Sequence, residues 1–127
     1  MDPQQELFSE LMERVRERGY GVYDGELPPK NTPYPFVYIG DSQESDDIHK
    51  SGMTGEIYQE VHVWHNSTEQ RGTVSSMLLD IKRVASRLQK SKNYSFMLDH
   101  IEQNILPDNT TDTPLLHGYL ELRFKFS

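Results

Sequence analysis

Two hydrophobic periods alternate along this chain. Asp2 can cap a helix and Pro3 suits a first turn. Leu7, Phe8, Leu11, Met12 and Val15 then recur at helical spacing, with Glu6, Glu10, Glu13, Arg14, Glu17 and Arg18 on the remaining surface. Gly19 and Gly21 end the pattern, so an amphipathic helix is expected over 3–18. Val22, Tyr23 and Asp24 allow at most a brief strand, and three prolines make 26–33 an irregular crossing. A strand is expected over 36–42, beginning beside Pro33 and Pro35, because proline lacks the ladder donor and marks strand starts and edges. Residues 57–65 form a second strand pattern. Ile57, Val61 and Val63 share one face with Gln59 as the exception, and Tyr58, Glu60, His62 and Trp64 share the other.

Ser67 reads as the cap of a second helix, whose stripe runs through Val74, Met77, Leu78, Ile81, Val84, Ala85 and Leu88. Residues 94–106 fit neither period well and are read as a strand over much of their length, followed by a polar loop over 107–114. In the last segment Leu120, Leu122, Phe124 and Phe126 alternate with Tyr119, Glu121, Arg123 and Lys125, the pattern of a sheet with one core face and one solvated face. The order helix-strand-strand-helix-strand-strand predicts an α+β two-layer domain, a mostly antiparallel sheet with two main helices packed on it. Between the first two strands, 41–54 reads as a long mobile loop, because it is polar and rich in acids.

Composition narrows the function. The 127 residues suit a single domain, 1–127, and the hydrophobic share of 35% with mean hydropathy −0.74 is low for a compact monomer. Either much loop is solvated, or copies of the chain complete one another's surfaces. The formal net charge of −7 opposes tight nucleic-acid binding, which depends on Lys and Arg neutralising phosphates. The cations Lys82, Arg83, Arg87, Lys90 and Lys92 gather at the end of the second helix, where they suit its dipole. With no cysteine, disulfides, thiolate metal sites and cysteine nucleophiles are excluded. The acidic N-terminus is unlike a signal peptide, and no apolar run approaches the roughly 20 residues of a membrane span. The expectation is a protein that is cytosolic when made, without a membrane partner.

No catalytic constellation emerges. His62 and His65, three apart on a strand, point to opposite faces, and Glu60 with His62 lacks the further ligands that a metal requires. Asp41, Glu44, Asp46 and Asp47 cluster without the spacing of a calcium-binding loop. Neither a phosphate-binding glycine loop nor a nucleophile elbow is present. No cofactor is expected. Tyr58, His62 and Trp64 are candidates for a partner surface. They either pack beneath a helix or stand exposed until another chain covers them.

The order of these pieces resembles the tail-completion family of long-tailed bacteriophages, the tail terminators or tail-to-head joining proteins. The likeness rests on Val22-Tyr23-Asp24 before the proline-rich crossing and on Pro33-Tyr34-Pro35-Phe36-Val37-Tyr38-Ile39-Gly40 after it. It continues in Val61-His62-Val63-Trp64, in the helix carrying Met77, Leu78 and Ile81, and in the closing Gly118-Tyr119-Leu120-Glu121-Leu122-Arg123-Phe124. The resemblance implies a non-enzymatic virion protein at the head–tail interface, assembled as a homo-hexameric ring. One ring face would meet the tail tube protein and the other a head completion or connector protein, with DNA passing through the lumen without specific binding. It places Asp41, Glu44, Asp46 and Asp47 on a lumen or assembly loop and Tyr58, His62 and Trp64 at an interface. Two other classes remain: a small metal-dependent hydrolase or nuclease using Glu60, His62 and the loop carboxylates, and a monomeric protein-binding adaptor.

Overall fold

The Asp2 carboxylate accepts the Gln5 N–H at 2.7 Å and so starts helix α1, Pro3–Glu17. In the computed structural model, which describes all of residues 1–127, α1 is followed by β1 (Val22–Asp24), β2 (Phe36–His49), β3 (Gly52–His65), α2 (Arg71–Arg87), β4 (Phe96–Asp108) and β5 (Leu115–Phe126). The five strands form one sheet in the order β1-β2-β3-β5-β4. Only β1 runs parallel to its neighbour. The α+β two-layer expectation holds, with the brief segment at Val22–Asp24 added to the sheet as a fifth strand.

Both helices pack on the same face. Leu7, Leu11 and Val15 of α1 and Val74, Leu78, Ile81 and Ala85 of α2 are buried with Val37, Ile39, Ile57, Val61, Val63, Leu120, Leu122 and Phe124 of the sheet. Gly118 makes the close approach of α2 possible. A Cβ there would lie 2.7 Å from Val74 Cγ1 and 3.0 Å from Leu78 Cδ1. Polar clasps hold both ends of α1. The buried Glu6 carboxylate accepts from Ser91 Oγ at 2.6 Å and from Asn93 Nδ2 at 2.7 Å. Those bonds, Ser91 first, hold its pKa below the ordinary carboxylate range. At the other end Tyr20 donates to Asp80 at 2.8 Å, and Arg18 pairs with the same carboxylate.

Two expectations need correction. Residues 41–54 are not a loop. From Ser42↔Gln59 outward β2 and β3 pair without a break to His49↔Gly52, so this stretch is the outer half of a β-hairpin turning at Lys50 and Ser51, with Gly52 at φ +143°. No third strand lies beside the last pairs, Asp47↔Thr54, Ile48↔Met53 and His49↔Gly52, so nothing selects apolar residues there, and the alternation that marks a half-buried strand is missing. The second helix begins at Arg71, not at a Ser67 cap. Ser67 belongs to the preceding turn, where its carbonyl accepts the Gln70 N–H at 3.2 Å, and Gln70 is the N-cap, its side chain accepting from the Thr73 hydroxyl at 2.8 Å and not from a backbone N–H.

A β-bulge explains the awkward periodicity of 94–106. Leu98 pairs with Phe124 but His100 pairs with Arg123, so Asp99 is an extra residue on β4. Phe96 and Leu98 therefore meet the helix layer in one phase and Ile101 and Ile105 in the other. The bulged Asp99 binds Arg123 Nε at 2.8 Å and approaches Lys125 Nζ at 3.7 Å.

Candidate functional site: an uncovered sheet face and a projecting hairpin

Because both helices lie on one side, the opposite face of the sheet has no helical layer. Alternation along β3 and β5 places Tyr58, Glu60, His62 and Trp64 there beside His117, Tyr119, Glu121 and Arg123. This removes the first of the two accounts of Tyr58, His62 and Trp64. They do not pack beneath a helix. They line the face that the fold leaves open.

Aromatic rings stack across its centre. The Trp64 and His117 rings are parallel within 4° at a centroid distance of 3.9 Å, and His62 stacks on His117 at 5.0 Å. Tyr119 and Tyr38 flank His62 at 5.1 and 6.1 Å. The contact between His62 Nδ1 and His117 Nε2, 2.7 Å, requires one nitrogen to accept. Burial first, then the neighbouring His62, brings the His117 pKa down to about 4, so this ring is neutral at pH 7. Trp64, Phe36, Tyr34, Tyr38, Leu27 and Leu115 then wall a groove of about 520 Å³. Its apolar walls bear Asp108, Thr110 and Thr111 on one edge.

Beside the aromatic stack runs an acidic ladder that sequence reasoning missed. Glu60 pairs with Glu121, and Glu121 with Glu102, so three glutamates stand side by side on β3, β5 and β4. Like charges directly opposite one another destabilise a sheet. Each carboxylate is partnered two residues along its own strand: Glu60 by His62 at 3.2 Å, Glu121 by the Tyr119 hydroxyl at 3.1 Å, and Glu102 by His100 at 2.8 Å. Burial and the Glu121 bond push the Tyr119 hydroxyl up to about 12. The available signal was E-x-H or its equivalent on three successive strands, readable only once the register was known.

The four acids of the expected loop separate on the hairpin. Asp41 lies in a second bulge, where Ile39 pairs with Val61 but Ser42 pairs with Gln59, leaving Gly40 and Asp41 opposite Glu60. The buried Gln59 amide answers that bulge. Its Nε2 donates to the Gly40 carbonyl at 3.1 Å, the Glu60 carbonyl at 2.9 Å and the Asp41 carbonyl at 3.3 Å. The one polar residue on an apolar face thus satisfies carbonyls that a bulge removes from the ladder. Asp41 opens with Glu60, Glu121 and Tyr58 onto a hollow of about 620 Å³. Glu44 instead turns to the helix side, where its Oε1 accepts the Gln4 N–H at 3.1 Å. Burial, then Asp46, pushes its pKa up to about 7. Asp46 and Asp47 pair with Gly55 and Thr54 farther out. No three histidines or carboxylates converge as a metal would require, so Glu60, His62 and the hairpin acids do not assemble the hydrolase site.

No family model matches the chain. Among curated proteins it is 28% identical over 122 residues to tail completion protein gp17 of Bacillus phage SPP1, covering 94% of this chain and 83% of that protein. The chain is a homologue of a phage tail completion protein. The resemblance read from the Pro33–Gly40 motif and the strand patterns is borne out. The fold of the SPP1 homologue agrees, its solved structure superposing with a TM-score of 0.61 at 20% identity, over 95% of this chain and 88% of that one. A chain in the virion of a native gene transfer agent particle shares the fold with a TM-score of 0.66 at 15% identity, over 98% of this chain and 93% of that one.

Proposed function

We propose that this chain is a structural component of a phage tail that closes the tail tube as a hexameric ring and joins it to the head connector. The observation that carries the reading is the near full-length homology to a tail completion protein. The geometry fits an assembly role. A sheet face with stacked Trp64, His117 and His62, an apolar groove and no helical cover offers area for other chains, and aromatic residues are enriched at such interfaces. Tyr58, His62 and Trp64 serve that contact. The low apolar share of the composition follows, since part of the surface is completed by neighbours. Asp41, with the glutamate ladder, makes the same face strongly acidic, which suits a channel that DNA slides past without being held.

The reading is tested by adding purified protein to growing tail tubes and imaging them. Capped tubes of uniform length, with six-fold rings at one end, are expected. Tubes that lengthen without limit in its presence would contradict it.

A further inference from the structure

Beyond Gly55↔Phe126, β3 has no neighbour except β2, and β1 reaches only Ile39 on the other side. The pairs Asp47↔Thr54, Ile48↔Met53 and His49↔Gly52 therefore form a free two-stranded ribbon about 10 Å long. A ribbon of two strands is at best marginally stable alone in water. Its tip nonetheless displays an apolar cross-strand pair, Ile48 at 88% exposure and Met53 at 41%. Asp46 and Asp47 stand just behind this pair. An apolar tip with an acidic collar, held out from the body, is shaped to be covered.

The same chain carries the complementary pattern elsewhere. On the outer surface of α2, Leu79 is 43% exposed, and Lys82 and Arg83 stand three and four residues on, on the same helical face. Arg87, Lys90 and Lys92 extend the positive charge. None of the five cations forms an ion pair within the chain. Dipole complementarity explains cations at the last turn, but Lys82 and Arg83 lie a turn earlier, beside an exposed leucine.

We infer that the hairpin tip of one copy docks on the α2 surface of the next, with Ile48 and Met53 against Leu79, Asp46 on their strand face against Lys82 and Arg83, and Asp47 adding negative charge from the opposite face. The two patches differ, so the contact is head-to-tail, the kind that closes rings when the rotation allows. The aromatic groove is the poorer seat for the tip, because Asp108 lies on its edge and opposes the acidic collar. This contact rests on the ring reading and deepens it by naming the surfaces between subunits.

The absence of cysteine makes a clean test possible. Purified Ile48→Cys protein is mixed at high concentration with Leu79→Cys protein under mild oxidation, and separately with Leu27→Cys protein, whose thiol would mark the groove. The first mixture should give a disulfide-linked heterodimer and the second should not. Cross-linking to Leu27→Cys instead, to both alike, or to neither overturns the proposal. A double charge reversal, Asp46→Lys with Asp47→Lys, should weaken the Ile48–Leu79 cross-linking rate about tenfold, and adding Lys82→Glu and Arg83→Glu to the partner should restore it. These side chains are outside the core, and circular dichroism verifies that each variant is folded. If cross-linking fails while the protein still caps tail tubes, the arm contact is wrong and the tail reading stands. If cross-linking succeeds while capping fails, the arm contact stands and the tail reading is wrong.

Discussion

Gln59 shows how one residue decides a local structure. Its amide replaces ladder partners for the carbonyls of the Gly40–Asp41 bulge. Gln59→Leu keeps the volume but leaves buried carbonyls unpaired, and should cost about 1–3 kcal/mol in denaturant unfolding. Glu121 acts in the opposite direction, since it faces a glutamate on each side. Glu121→Gln should raise stability by about 0.5 kcal/mol at low salt, with the gain shrinking as salt is added. Two titrating groups oppose each other near neutrality. His117 has its pKa lowered from 6.5 to about 4, so the unfolded chain takes up the proton first, and stability falls as pH drops through that window. Glu44 has its pKa raised from 4.5 to about 7, so the folded chain binds the proton more tightly, and stability grows as pH drops from about 7 to 4.5. The two effects largely cancel in the native protein. Glu44→Gln should expose a loss of about 1–2 kcal/mol on acidification from pH 7 to 4.5, and His117→Gln a gain of similar size, both read from urea midpoints across pH.

At the scale of elements, burial decides what the sequence discloses. α1 is legible to within a residue because its cap, its apolar stripe and its terminal glycine agree, and β5 because one face is core throughout. β4 is obscured by Asp99, since one inserted residue exchanges the faces of everything after it. The outer hairpin is illegible for a different reason. Periodicity records contact with a core, and the ribbon from Asp47 to Thr54 touches none within its own chain. The clue that was present is Gly55. A Cβ there would lie 2.2 Å from the Ser45 carbonyl oxygen and 2.6 Å from the Phe126 ring, so only glycine lets β2, β3 and the end of β5 meet. Gly55→Ala should loosen the ribbon, seen as faster amide exchange over 45–56, while α1 and α2 keep their protection. Gly118→Ala should act on the core instead, pushing α2 from the sheet at a cost of about 1–3 kcal/mol.

For the whole molecule, the decisive property is asymmetry between the two sheet faces. Both helices cover one side, and the other keeps its stacked rings, its groove and its acidic ladder without cover. Sequence patterns named Tyr58, His62 and Trp64 but not the face they occupy, because alternation separates two faces without saying which one the helices take. The same patterns could not find His117 or the Glu60–Glu121–Glu102 ladder, which exist only through register between β3, β5 and β4. Homology to a tail completion protein gives these surfaces a setting, the phage tail, and the proposed function puts them at its junction with the head. Gold-labelled antibody against this chain, applied to intact virions under the electron microscope, tests that claim most directly. Label confined to the junction of head and tail is the predicted result. Label spread along the tail shaft, or its absence from purified virions, would contradict it.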